Sequence, residues 1–74
     1  MSPKMPSVTS QDMIRALERA GFYFHHQTGS HVVMKHMNGS RATIPNHRTD
    51  LKQGTLHNIL REAKILRDEL LKYL

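Results

Sequence analysis

Residues 22–45 read FYFHHQTGSHVVMKHMNGSRATIP, and the fold turns on how this run divides. Glycine, asparagine and serine gather at two points and separate three short runs rich in aromatic and β-branched residues. The spacing predicts strands over FYFHHQ, HVVMKH and RATI, the last ending at Pro45. Three successive strands joined by tight turns make an antiparallel meander. Strand side chains alternate between faces, so the turns can be tested by parity. Phe22, Phe24, Val32, Met34, Ala42 and Ile44 supply one apolar face. A two-residue Asn38-Gly39 turn would pair His36 with Arg41 and put Met34 and Ala42 on opposite faces. A three-residue loop, Met37-Asn38-Gly39, keeps them together, with Gly39 left-handed after a type I turn. The same parity predicts Thr28-Gly29-Ser30 as the loop between the first two strands. His31 then leads the second strand on the face away from the core. Val33, Lys35, Arg41 and Thr43 share that face, as do Tyr23, His25 and Gln27.

On either side of this run the period changes from two to 3.6. In TSQDMIRALERAGF, Thr9 or Ser10 caps a helix and Asp12 complements its dipole. Met13, Ala16, Leu17 and Ala20 form one apolar stripe, and Gly21 suits the left-handed position after the last turn. A helix over residues 10–20 follows. After the loop PNHRTDLKQG, Thr55 is the expected cap of a second helix with the stripe Leu56, Ile59, Leu60 and Ala63. The stretch KILRDELLKYL continues the period through Leu66, Leu70, Tyr73 and Leu74. It fits one long helix or a break near Lys64 followed by a short third helix. The predicted order is α-β-β-β-α: an α+β domain over residues 9–74, with two helices on one face of a three-stranded antiparallel sheet. Residues 1–8 show no period and are expected to form a frayed tail.

The chain has 74 residues, which allows one domain that buries about 60% of its unfolded surface. It has no cysteine, so no disulfide and no cysteine-based zinc site support it. No apolar run approaches the roughly 20 residues that span a bilayer. No apolar region follows MSPKMPSV, so the expectation is a soluble, cytoplasmic protein with no membrane partner. The formal charge of +5, from 11 Lys and Arg against 6 Asp and Glu, favours a polyanionic partner, and nucleic acid is the commonest. With two Phe, two Tyr and no Trp, base-stacking platforms are disfavoured.

Six histidines invite a metal reading. His25, His26, His31 and His36 have no short ligand motif and no acidic partners, and alternate strand residues point apart; no metal and no cofactor are expected. His36 reads as a polar strand end and His57 as a solvated helix residue. Lys35 and Arg41 on the open face, with His47, Arg48 and Lys52 in the loop, are candidate RNA contacts. An exposed His31 at the start of a rigid strand suits proton transfer near neutral pH.

Particular residues sharpen this picture. Gly21-Phe22, the triplet Gly29-Ser30-His31, Asn38-Gly39, Ile44-Pro45 with His47, and DLKQGTLHNIL over residues 50–60 occur in this order. In these residues the chain resembles the HicA family of toxins from bacterial and archaeal toxin–antitoxin pairs. The resemblance covers about residues 10–66 and includes Gly54, Thr55 and Ala63. It implies a fold like the double-stranded-RNA-binding domain. It implies an mRNA-cleaving endoribonuclease neutralised by a HicB-like antitoxin; because RNA carries its own 2′-hydroxyl nucleophile, such cleavage is expected to be independent of metal. It also implies that His31 is the catalytic residue, with Gly29, Ser30, Gly39, Gly54 and Thr55 shaping turns and helix starts. This sequence has Lys64 where the family often has glycine, and Val32 where it tends to have a histidine or a polar residue. His47 and His25 are the candidates for a second acid or base.

Two other functions compete. A non-catalytic RNA-binding module would use the same basic face. Duplex-binding domains usually carry a lysine cluster at the start of the last helix, and LKQGTLHN offers one lysine before the cap. A small protein-interaction domain whose charge is incidental is the third possibility. The C-terminal stripe Leu66, Leu70, Tyr73 and Leu74 is expected in the core, and any surplus that does not fit marks a partner surface.

Overall fold

The structure, a computed structural model, describes residues 7–74. Its elements are α1 (Ser10–Arg19), β1 (Phe22–Thr28), β2 (His31–His36), β3 (Arg41–Pro45), α2 (Gln53–Ala63) and α3 (Arg67–Tyr73). The strands form one antiparallel sheet in the order β1-β2-β3. The fold is the α+β, double-stranded-RNA-binding-domain-like arrangement expected from the sequence.

α1 starts where its cap chemistry dictates. The Asp12 N–H donates to Thr9 Oγ1 at 3.1 Å, and the Thr9 N–H donates back to Asp12 Oδ2 at 3.2 Å. Two otherwise orphaned helix donors are thereby satisfied. Met13, Ala16 and Leu17 are buried. They meet Phe22, Val32, Met34, Ala42 and Ile44 from the sheet and Leu56, Ile59, Leu60 and Ala63 from α2. Each large side chain buried here contributes about 1.5–3 kcal/mol relative to exposure. Val8, assigned to the tail from the sequence, is buried in this core, and its carbonyl accepts the Leu51 N–H at 2.8 Å. The rest of the expected tail, residues 1–6, lies outside the described residues.

The β2–β3 hairpin has the predicted three-residue loop. The Gly39 N–H donates to His36 O at 2.9 Å, the His36 N–H to Ser40 O at 2.8 Å, and Gly39 has φ +94°. Met34 consequently opposes Ala42. The β1–β2 connection differs from expectation. Thr28 pairs with His31, leaving a two-residue turn, Gly29-Ser30, with Gly29 at φ +56°. Glycine at the first central position is the requirement of a type II′ hairpin turn. Parity is restored by a bulge: Phe24 opposes Met34 and His26 opposes Val33, so His25 is the extra residue. The bulge moves His26 to the open face and Gln27 to the helix side, the reverse of their expected places. Phe24 stays on the helix side by register but is 57% exposed on the edge strand β1. Val33 faces outward yet is buried, flanked on the central strand by His26 and Thr43.

The C-terminal half contains the break. Lys64 takes the left-handed conformation at φ 59°, ψ 41°. The Ile65 N–H reaches Leu60 O at 3.0 Å and the Lys64 N–H reaches Arg61 O at 3.2 Å. These two bonds are those of a Schellman cap, which usually has glycine at the left-handed residue. α3 then turns back onto α1; Leu70 is buried and the Arg19 guanidinium donates to Tyr73 O at 2.6 Å. Leu66 and Leu74 of the expected stripe are exposed. α2 begins three residues earlier than predicted. Its cap is Lys52 in extended conformation, with no side-chain capping bond, so Thr55 lies in the first turn and does not cap. Gly54 has ordinary helical geometry and open space at its Cβ position.

Candidate active site

His31 is held from both sides. It pairs with Thr28 on β1 and Pro45 on β3, directly after the Gly29-Ser30 turn. The Asn46 N–H donates to Ser30 O at 2.6 Å and ties that turn to the end of β3. The side chain is exposed. A strand start fixed in this way holds an imidazole with little backbone freedom.

The imidazole opens onto a groove of about 460 Å³ between the end of the sheet and α2. His31, Thr43 and Pro45 form its sheet side; Thr55, Asn58, Ile59, Arg61 and Glu62 form its helix side. Helical spacings of three and four place Thr55, Asn58, Ile59 and Glu62 on one side of α2. The groove thus brings together an imidazole, a guanidinium, a carboxylate, and neutral amide and hydroxyl groups able to hydrogen-bond.

Glu62 is committed on two sides. Its Oε1 accepts the Thr43 N–H at 2.8 Å, and its Oε2 lies 3.5 Å from Arg41 Nε. Arg41 therefore faces a carboxylate at the sheet edge and does not line the His31 groove. Lys35 pairs across strands with Arg41 and is half-buried. Beside it the bulge brings His25 Nδ1 to 2.7 Å from His26 Nδ1. The Lys35 ammonium, desolvation and His26 together hold the His25 imidazole below its ordinary value.

The loop residues form neighbouring clefts. His47 and Lys52 line one with Pro45, Thr49, Asp50, Leu51 and Thr55. His47 and Arg48 line another with Thr9, Gln11 and Asn46. Pro45 and Thr55 border both the His31 groove and the His47 cleft, so these two adjoin along one ridge. Neither His47 nor His25 lines the groove with His31. Ser10 organises this junction: its hydroxyl donates to Pro45 O and accepts the His47 N–H at 3.2 Å. Asn58, Arg61 and Glu62 are not singled out by the sequence, and Ser10 is read there only as a possible helix cap. A helical projection from Thr55 would have grouped Asn58 and Glu62, but nothing local says that this side of α2 meets the start of β2.

These features define a small α+β protein that presents a strand histidine beside a helix-borne arginine. A family model described as the HicA toxin of bacterial toxin–antitoxin systems matches residues 10–65, and the chain belongs to that family. It is a toxin of a toxin–antitoxin system. The match takes in every residue lining the groove and stops before α3. A search of curated proteins finds no match. Among the described residues, no helix is long and apolar enough to cross a membrane.

Proposed function

We propose that this toxin is an endoribonuclease that cleaves mRNA, with His31 as general acid or base, and that a HicB-like antitoxin neutralises it. RNA carries its own nucleophile, the 2′-hydroxyl, so the reaction needs no metal to generate one. His31 takes the 2′ proton as the 2′ oxygen bonds to phosphorus, or delivers a proton to the 5′ oxygen as its bond to phosphorus breaks. The observation that carries this reading is the placement of an exposed imidazole, fixed at a strand start, in a groove that also contains a guanidinium. Lys35, His47, Arg48 and Lys52 supply outlying contacts to the RNA backbone.

The test compares wild type with His31→Ala in a growth assay and an RNA-integrity assay, with circular dichroism to verify the fold. Wild type arrests growth and fragments RNA, and His31→Ala does neither. Equal fragmentation by the two proteins would overturn the assignment. RNA binding without fragmentation by wild type would instead support the binding-module reading.

A further inference from the structure

Arg41 and Arg61 stand in opposite situations. Arg41 lies 3.5 Å from the Glu62 carboxylate, so its charge is matched where it sits. Arg61 precedes Glu62 in the chain but lines the His31 groove, and among the described residues no acidic group pairs with it. Glu62 also lines the groove, yet its oxygens are engaged with Thr43 and Arg41. The unmatched charge in the groove is therefore the Arg61 guanidinium. A dianionic transition state beside His31 needs positive charge, and a planar guanidinium can donate two parallel hydrogen bonds to phosphate oxygens.

We infer that Arg61 grips the RNA phosphate adjacent to His31, and that Arg41 serves the sheet edge instead. The inference rests on the ribonuclease reading above. The bland role for Arg61 is electrostatic, since it lies in the last turn of α2, where a cation complements the helix dipole. That role predicts a change in stability but none in RNA affinity.

The two roles separate in a binding experiment. The probe is a fluorescent single-stranded RNA oligonucleotide of mixed sequence, and the protein carries His31→Ala so that the probe stays intact. Adding Arg61→Gln weakens binding roughly tenfold or more, as expected for loss of a charge-assisted contact. It also lowers the slope of log affinity against log salt by about 0.7, the value for one phosphate on a single strand. Arg61→Lys restores the slope because it restores the charge. Arg41→Gln leaves the slope unchanged. Circular dichroism verifies that each variant folds. An unchanged slope and affinity in Arg61→Gln, or a loss equal to that of Arg41→Gln, would overturn the inference. So would a His31→Ala protein that does not hold the probe at all. Fragmentation of the probe by His31→Ala would be the separate failure of the His31 assignment, and the affinity comparison would then be made on a 2′-deoxy probe.

Discussion

Glu62 closes the outer edge of β3: its carboxylate accepts the Thr43 N–H at 2.8 Å from the last turn of α2. An edge strand otherwise presents unpaired donors that invite pairing with other chains. Glu62→Ala removes this acceptor and frees Arg41. We expect a loss of about 1 kcal/mol, the usual net value of one hydrogen bond, visible as a melting-temperature drop of about 4–8 °C for a domain this size. Glu62→Gln keeps a carbonyl acceptor and should recover most of the loss. An unchanged melting temperature in Glu62→Ala would show that the contact is energetically idle.

Lys64 holds a backbone conformation that favours glycine, at φ 59°. The left-handed region costs a side-chain-bearing residue about 1–2 kcal/mol. Lys64→Gly removes this strain while loosening the unfolded chain, so the net gain should be about 0.5–1 kcal/mol in urea unfolding. Lys64→Ala, which retains a Cβ, should give no such gain.

Gly21 is constrained twice. Its φ is +102°, and a Cβ there would come within 2.6 Å of His36 Nε2. The His36 ring is itself placed by an edge-on contact with Phe22 and by the Asn38 N–H, which donates to Nδ1 at 3.0 Å. Gly21→Ala should destabilise by about 2 kcal/mol or more. Combining it with His36→Ala removes the clash but not the strained φ. A double-mutant cycle should then show a favourable coupling that recovers part of the loss. Strict additivity would mean that the ring simply moves aside.

Two groups give stability a pH dependence of the same sign. Hydrogen bonds from Thr9, aided by Arg15, hold the Asp12 carboxyl below its ordinary 3.8. Its contribution is present above pH 3.8 and is lost as pH falls through the lower folded value. His25 lies below its ordinary 6.5, chiefly through the Lys35 ammonium. Below 6.5 the unfolded chain takes up this proton first, so stability falls as the pH drops through the interval between 6.5 and the folded value. NMR titration of Lys35→Met should move the His25 midpoint upward. An unmoved midpoint would assign the shift to desolvation and His26.

Elements set by neighbours in sequence were readable in advance. The Thr9–Asp12 cap and the Asn38-Gly39 loop each lie within a few residues, and both form as expected. The β1–β2 turn was misplaced because the His25 bulge repairs the parity that a two-residue turn breaks, and a bulge at His25-His26 has no marker in composition. The start of α2 moved because Lys52 is extended without a capping side chain, so polar propensity at Thr55 did not decide it. At the candidate site, His31 was named through resemblance. Its groove was not, because Asn58, Arg61 and Glu62 reach it only through the packing of α2 beside β3.

The Ser10 hydroxyl joins the first turn of α1 to Pro45 and His47, and Val8 and Thr9 run beside Leu51 and Asp50. The basic loop is thus stitched along the start of the chain. Its amide protons at His47 and Leu51 should exchange with solvent together, at a rate set by detachment of residues 8–10. Proteolysis within the loop would then report the same opening, and a tag ending beyond Ser7 would perturb a segment far from it in sequence.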